Sequence, residues 1–283
     1  QPGLEWHGRA GGARLGQHPM NANWPARFAW LSAVLGLLMA LIVFAPARWL
    51  ADSVTSATRN QLQLVNARGT VWNGQADLVL TGGEGSRTQT ALPQGVQWQL
   101  APRLVSGAPA MSLHLMAPCC TPEPMAVLMI PRLGGAELRV ASTSSLWPAE
   151  LLSGLGTPWN TLRVEGQLAL QTEGLTLHWD QGRARLQGEA AIEALDLASR
   201  LSTIRPLGSY RMSMRADADG NTTTLDLQTL SGALQLQGTG RWVGGRLRFQ
   251  GVAEAAPDAE AALGNLLNIM GRRQGPRSLL NIG

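Results

Sequence analysis

Lysine is absent from this chain of 283 residues, in which all 23 basic side chains are arginines. Aromatic residues are also few, at 5% of the sequence, and charged residues make up only 15%. The net charge of +4 is spread along the chain, whereas a nucleic-acid-binding surface needs a basic stripe with interleaved aromatic side chains. The sequence therefore argues against a nucleic-acid partner.

Metal ligands are scarce as well. The chain has four histidines and two cysteines, and only His114 and His178 lie beyond residue 20. Because a zinc site needs about four ligands, no metal or cofactor is predicted. The adjacent residues Cys119 and Cys120 leave three outcomes open in an oxidising compartment: a strained bond between the two, a buried reduced pair, or a bridge to a second chain.

Catalytic signatures are missing too. The chain contains no G-x-S-x-G elbow, H-E-x-x-H helix, Walker loop or G-x-G-x-x-G fingerprint. Asp217 and Asp219 precede Gly220 as in the opening of a calcium loop, but Asp226 stands where that loop has a glutamate. An Asp-Gly hairpin turn explains these residues better. We predict no catalytic residue and no enzymatic activity.

The longest uncharged run covers residues 28–47. As a helix, these twenty residues would span about 30 Å, which is the thickness of a bilayer's hydrocarbon core. Trp24 and Trp30 stand near one end and Trp49 near the other, where indole rings favour the headgroup layer. The run predicts one transmembrane helix, with residues 20–59 forming the anchor and its helical extension.

A cleaved signal peptide is the rival interpretation, since Ala45-Pro46-Ala47 resembles a small-residue cleavage site. The apolar run is longer than that of a signal peptide, and a proline stands inside the site, so we expect the helix to stay. Because long domains cross a membrane largely regardless of flanking charge, we expect a cytoplasmic N-terminus and an exported main domain. Residues 1–19 lack an initiator methionine and are expected to be a leader that is non-native or disordered.

Beyond residue 60, apolar and polar residues alternate, which predicts strands with one apolar face and one solvated face. The alternation is clearest at 76–80, 96–100, 162–170, 175–179, 210–214, 225–227, 234–236 and 247–249. Glycines recur after these stretches, and a glycine in a strand commonly marks a bulge or bend. We therefore predict a mainly β fold, built on a curved or twisted antiparallel sheet.

Glycine and proline mark the predicted breaks in this pattern. Glu173-Gly174 predicts a turn, and Gly244-Gly245 predicts a two-residue hairpin. The segment 117–131 contains four prolines and is predicted to be a sheet edge or linker, because proline cannot donate to a ladder. The domain at 60–283 is then either two lobes with a boundary near 117–131 or one long sheet with an irregular middle.

A short C-terminal helix is predicted over residues 258–270, with Asp258 as its N-cap and Gly271 directly after its end. An apolar stripe follows helical spacing and is formed by Leu263, Leu266, Leu267 and Met270. We expect this stripe to pack on the sheet.

The densest basic cluster comes after that helix and consists of Arg272, Arg273 and Arg277. Cations suit a helix C-terminus for electrostatic reasons alone. The three arginines are nevertheless the candidate contacts with a partner.

Four motifs in a fixed order resemble a known family. They are GTVWNG at 69–74, ALPQGVQWQL at 91–100, SGALQLQGTGRWVGGRLRFQGVAEA at 231–255 and LLNIMGRRQG at 266–275. With the single apolar run before them, they resemble the N component of the bacterial type II secretion system, general secretion pathway protein N. The motif positions that we expect to be structural are Gly69, Trp72, Gly74, Trp98, Trp242, Gly244, Gly245 and Gly271.

The resemblance implies a single-pass inner-membrane protein with a periplasmic β-rich domain. It would be a structural or accessory part of an exporter that moves folded proteins across the outer membrane. Its partners would be other secretion components in the inner membrane and periplasm, and no functional residue beyond the motifs is implied. The residues leave one main alternative, a single-anchor β module whose open apolar face binds or transfers lipid. An envelope hydrolase would need a nucleophile and base that the sequence does not show.

Overall fold

A computed structural model describes residues 23–83, 85–86, 88–157, 159–180, 183–217, 220, 222–243 and 246–283. The predicted leader at 1–19, the Gly244-Gly245 pair and Asp219 lie outside these described residues. The chain divides into two units, Gln1–Phe44 and Ala45–Gly283.

The described part of the first unit is one helix, α1 (Asn23–Val43), whose side chains from Phe28 to Val43 are exposed. Among the residues that the structure describes, no helix has the length and apolar character needed to cross a membrane. The predicted transmembrane helix therefore stays a prediction.

The second unit is built on strands, as the alternating pattern predicts. Its described residues form sixteen strands: β1 (Leu62–Gly69), β2 (Asn73–Thr81), β3 (Gln89–Ala91), β4 (Val96–Val105), β5 (Ala108–Met116), β6 (Met125–Arg132), β7 (Gly135–Val140), β8 (Thr143–Pro148), β9 (Val164–Asp180), β10 (Arg183–Ser199), β11 (Gly208–Ala216), β12 (Thr222–Gly232), β13 (Leu234–Val243), β14 (Arg246–Ala255), β15 (Arg272–Gln274) and β16 (Arg277–Ile282). The helical elements are α2 (Ala47–Ala57), a 3-10 helix (Ala149–Leu155), α3 (Trp159–Leu162) and α4 (Glu260–Met270).

All sixteen strands join one antiparallel open sheet, in the order β1-β2-β4-β5-β6-β7-β9-β10-β11-β12-β13-β14-β16-β15. Strand β3 pairs with β2, and β8 pairs with β9. The 17-residue strands β9 and β10 form the long central pair, and β7 and β8 lie end to end along β9. Neighbours in the sheet are mostly neighbours in sequence, because short turns suffice to join antiparallel strands. The mainly β, antiparallel prediction is confirmed.

Side-chain alternation gives this sheet one apolar face. In its centre, Leu170, Ile192, Met212 and Leu227 are register partners on four successive strands. Because successive side chains of a strand point to opposite faces, the residues between them form a separate polar face. That polar face includes Gln171, Ser213 and Asp226.

Helices cover the apolar face near the first and near the last strands of the sheet. At one end, Leu263 and Leu267 of α4 are buried against Leu234 and Ala253 of the sheet, which confirms the predicted stripe. Near the other end, Ala47 of α2 packs with Ala76 and Trp98, and Leu151 of the 3-10 helix packs in an adjacent cluster.

The predicted turn at Glu173-Gly174 is wrong, because β9 runs through both residues. The pairing of β9 with β10 shifts register between Gln187 and Glu189, and Gly174 and Gly188 both have positive φ, at 55° and 92°. A Cβ on Gly188 would lie 2.4 Å from the backbone oxygen of Gly174. The glycines therefore serve a β-bulge, which adds a residue to one strand without ending it.

The edge or linker prediction is wrong for the C-terminal half of the proline-rich segment. Strand β6 lies inside the sheet, between β5 and β7. Its pairing with β5 ends at Met129, so Pro131 removes no hydrogen bond from that ladder. In the turn before β6, Cys119 and Cys120 form a disulfide with each other, which is one of the three outcomes left open.

Helix α4 starts at Glu260, two residues later than the prediction, and its N-cap position is Ala259 rather than Asp258. Gly271 follows the helix with a φ of −174°, so this position does not require the left-handed conformation. A Cβ there would lie 2.2 Å from the backbone oxygen of Leu279. Close approach of two backbones explains the glycine.

Candidate interaction surfaces

The GTVWNG motif forms the turn between β1 and β2. The amide of Thr70 donates to the carbonyl of Asn73 at 2.9 Å, and the amide of Asn73 donates to Thr70 Oγ1 at 3.1 Å. The amide of Val71 donates to the carbonyl of Ala45 at 2.8 Å, and Gly69 has a φ of 89°. The motif thereby ties the start of the second unit to the sheet.

Two tryptophans of the motif positions lie at this turn. Trp98 is only 4% exposed, and its indole Nε1–H donates to the carbonyl of Val71 at 3.0 Å. Trp72 is half-buried, and its carbonyl accepts from the amide of Leu100 at 2.7 Å. Gly74 lies against the Trp98 ring. These contacts hold the turn in the core, whereas Trp242, on β13, is 47% exposed.

The three C-terminal arginines do not converge on one face. Arg277 on β16 pairs with Glu254 at 3.1 Å. Arg273 on β15 donates to the carbonyls of Gly275 at 2.7 Å and Gly264 at 3.4 Å. Arg272 is exposed on the same strand, at the edge of the sheet, and forms no ion pair with any residue that the structure describes. Of the three, Arg272 is the one available to a partner.

A polar groove crosses the solvated face of the sheet from β8 to β12, with a volume of about 890 Å³. Arg215 donates to Glu189 at 2.7 Å inside it, and Arg211 on its wall donates through Nε to Glu193 at 2.8 Å. The hydrogen bond from Arg215 holds the pKa of the Glu189 carboxyl below its usual value and raises the pKa of the Arg215 guanidinium. Sequence reasoning missed this groove, because its residues stand opposite one another only once the strand register is known.

A buried carboxylate lies on the same face near β7. Glu137 is buried, and it accepts from Arg132 Nη2 at 2.6 Å and from Nε of Arg139. The hydrogen bond from Arg132 is the main reason that the pKa of Glu137 lies below its ordinary value, and Arg139 adds to the effect. His178 Nδ1 is 4.0 Å from the same carboxylate. Two half-exposed arginines thus neutralise one buried acid. We interpret this cluster as part of the fold and not as a binding site.

The centre of the apolar face has no helix packed on it among the described residues. Leu170, Ile192, Met212 and Leu227 are each half-buried there. Met129 and Leu138, two further register partners on β6 and β7, are half-buried as well. A strip of apolar side chains therefore remains partly accessible between the two covered ends.

The described histidines and carboxylates are dispersed over these surfaces. In the described ranges, no three side chains of histidine, cysteine, aspartate or glutamate gather as a metal would require. His178 contacts Gln187 at 3.4 Å, and His114 lies opposite Gln99 between β4 and β5. The described residues leave three accessible features on the sheet, namely an edge strand, a polar groove and an apolar strip.

Comparison with known proteins connects the fold to a family. The family model for type II secretion system (T2SS), protein N matches residues 60–279, which is most of the chain. The chain belongs to this family. No curated protein and no solved structure matches it.

Membership confirms the family suggested by the four motifs and makes the chain an accessory component of type II secretion. The match begins two residues before β1 and ends inside β16, so it covers the whole sheet except its last residues. The protein N family is a family of secretion components that is not known for enzymatic activity.

Proposed function

We propose that this protein N is an inner-membrane-anchored accessory component of the type II secretion system, with its sheet in the periplasm. The family match over residues 60–279 carries the proposal. In it, residues 20–59 form the anchor and its extension, and residues 60–283 form the periplasmic domain. The protein would support export of folded proteins by holding other secretion components.

The proposed anchor is the uncharged run 28–47. Sixteen of its twenty residues lie in α1, where they cover about 24 Å at the rise of an α-helix. Their side chains, including Phe28 and Trp30, are exposed. A lipid environment would remove this apolar surface from water. The tryptophans on either side of the run suit the headgroup layers.

The proposed contact with periplasmic partners is the edge strand β15. Its outer side has no strand beside it among the described residues, and Arg272 is exposed there. An edge strand presents free amide and carbonyl groups, which a partner can use by adding a strand. Arg273 and Arg277 are engaged within the domain and would support the edge rather than contact the partner.

Deletion of the gene from its native host, followed by complementation, tests the proposed function. We expect export of the folded substrate proteins to fall without the gene and to recover with the wild-type chain. A photo-crosslinking amino acid at position 272 is expected to capture other secretion components. The matched control is position 237, where Gln237 is exposed on the interior strand β13. Unchanged export after deletion would refute the proposal.

A second candidate function rests on the uncovered apolar strip. A face that leaves Ile192 and Met212 half-exposed could hold acyl chains, as a lipid-binding or lipid-transferring module would. We expect a photoactivatable phospholipid to label β10 and β11 within this strip, and Met212→Arg to reduce the labelling. The control Ser213→Arg changes the neighbouring residue, whose side chain belongs to the opposite face. Equal labelling of all three proteins, or none, would exclude the lipid function.

A further inference from the structure

One end of the sheet is fixed by the start of the second unit. The amide of Val71 bonds to Ala45, and Thr70 forms an isolated bridge with Pro46, so the chain enters at the β1–β2 turn. Because all the strands are antiparallel, the C-terminal ends of β1, β4, β6, β9, β11 and β13 lie at this same end. We name it the turn end. It is the end of the sheet at which Ala45 and Pro46, the first residues of the second unit, are held.

Most of the apolar side chains with the largest exposed fraction in the second unit lie at the turn end. Six large apolar side chains described in the second unit are at least 47% exposed: Trp49, Leu104, Leu133, Trp179, Trp242 and Ile269. Five of these six belong to the turn end. Trp49 lies in the first turn of α2, and the other four lie within two residues of a strand end at the turn end. Ile269 is the exception. Apolar tips on several separate turns are costly in water. Five of the six therefore share one end of the sheet.

Two arginines face each other beside these tips. Arg241 on β13 and Arg248 on β14 are direct register partners, and both are exposed. Like charges directly opposite each other destabilise a sheet. Neither arginine forms an ion pair or a side-chain hydrogen bond with any residue that the structure describes. Asp226 lies diagonally across from Arg241 on the same face, since Thr224 is the partner of Arg241 and Asp226 is the partner of Thr239.

Indole rings and arginines together suit one kind of surface. Tryptophan prefers the membrane–water interface, where its ring meets apolar chains and its N–H meets polar headgroups. Arginine binds phosphate through two parallel hydrogen bonds. Arg241 and Arg248 form a pair on the polar face, one residue along β13 from Trp242, whose ring belongs to the apolar face. The pair therefore matches the phosphates of a lipid headgroup layer.

We propose that the turn end rests on the headgroup layer of an anionic phospholipid bilayer. Trp179 and Trp242 lie in that layer, and Arg241 and Arg248 bind lipid phosphate. The proposal rests on the proposed function in one respect, since the bilayer is the one that the anchor spans. The new element is a second membrane contact, made by the turns of the sheet in addition to the anchor.

Tryptophan quenching by brominated phospholipids tests this contact. Full-length protein is reconstituted into vesicles of phosphatidylcholine with or without phosphatidylglycerol. We expect Trp179→Phe/Trp242→Phe to lose part of the quenched fluorescence in the phosphatidylglycerol vesicles. The control Trp159→Phe removes a tryptophan that is 38% exposed just before β9, at the opposite end, and should leave the quenched part unchanged.

The arginine pair is tested in the same assay. Arg241→Gln/Arg248→Gln should lower the phosphatidylglycerol-dependent quenching of Trp179 and Trp242 at least about twofold, because anionic lipids attract basic side chains near the surface. The control is Arg163→Gln, which removes an exposed arginine at the opposite end. Equal effects of the two charge changes would overturn the phosphate contact.

The two proposals fail in distinguishable ways. If the anchor is wrong, the protein does not float with vesicles of phosphatidylcholine alone, and quenching of the anchor tryptophans is absent in every variant. If only the turn-end contact is wrong, the protein floats, but wild type and Trp179→Phe/Trp242→Phe show the same quenched fluorescence. That second result would overturn the inference and leave the anchor standing.

Discussion

Gly74 and Trp98 touch so closely that a Cβ on the glycine would lie 2.4 Å from Cζ2 of the indole ring. The same Cβ would lie 2.9 Å from the backbone oxygen of Arg68, so neither neighbour can simply rotate away. The ring in turn donates to Val71. The glycine and the tryptophan of the family motifs therefore act as one packing unit at the β1–β2 turn.

We predict that Gly74→Ala destabilises the fold by about 1–3 kcal/mol, the range for inserting a methyl group into a well-packed site. Chemical denaturation of the full-length protein in detergent, followed by tryptophan fluorescence, measures the change. The control is Gly264→Ala in α4, where nothing lies within 4 Å of the added Cβ. That substitution should raise stability by about 0.5–1 kcal/mol, because alanine favours a helix over glycine. Equal stability of the two variants would contradict the contact.

The fold class follows from the sequence because alternation is a local property. Segments such as 210–214 and 225–227 alternate apolar and polar residues, and each lies in a strand of the sheet. The stripe of α4 is local in the same way. Strand pairing is not a local property, so the sequence alone could not distinguish the bulge at Gly174 and Gly188 from a turn. Only the facing strand shows that the chain continues.

The docking of α4 provides the second prediction. Leu267 is fully buried, and its carbonyl accepts from Ser278 Oγ at 2.7 Å. Leu267→Ala should lower the free energy of unfolding by about 2–5 kcal/mol, since it leaves a cavity in the core. Ile269→Ala, two residues away and 55% exposed, should change it by less than about 0.5 kcal/mol. Denaturation midpoints of both variants measure the difference, and a similar loss in both would show that α4 packs differently.

The third prediction concerns the buried carboxylate of Glu137. Glu137→Gln keeps the shape of the side chain but removes the charge that accepts from Arg132 and Arg139. We expect a loss of about 1.5–3 kcal/mol, the contribution of a hydrogen bond to a charged group. The control is Glu173→Gln, which removes an exposed carboxylate from β9.

The pH dependence of that loss is fixed by the sign of the pKa shift. The pKa of Glu137 is lowered in the folded chain, chiefly by the Arg132 hydrogen bond. The carboxylate therefore stabilises the fold fully above its unfolded pKa of about 4.3 and loses this effect as the pH falls through the folded value. The stability difference between wild type and Glu137→Gln should be constant near neutral pH and shrink below about pH 4. A difference that grows on acidification would contradict the ion pair.

The interaction surfaces were harder to predict than the fold. Arg272, Arg273 and Arg277 are close in sequence, but β15 sends Arg272 and Arg273 to opposite faces. The opposed pair Arg241 and Arg248 is seven residues apart, and only the hairpin register brings it together. A charge cluster in the sequence therefore says little about charge on a surface until each strand's face is known.

The last prediction uses Tyr210, the only tyrosine of the chain. The side chain is buried, and its hydroxyl donates to the carbonyl of Leu234 at 2.9 Å. Burial raises the pKa of this phenol well above its ordinary value of about 10. The neutral Tyr210 hydroxyl therefore stabilises the fold fully below about pH 10. This stabilisation is lost as the pH rises from there through the folded pKa.

Ultraviolet absorbance of tyrosinate measures this shift without interference from a second tyrosine. We expect no tyrosinate signal at pH values where a free tyrosine is half ionised, and a sudden signal when the fold is lost at higher pH. Tyr210→Phe should lower stability near neutral pH by about 0.5–1.5 kcal/mol, the net contribution of one hydrogen bond. It should also weaken the decline of stability above about pH 10. Gradual ionisation near pH 10 in the folded protein would show that the ring is open to solvent, and that β11 does not close on β13 through this bond.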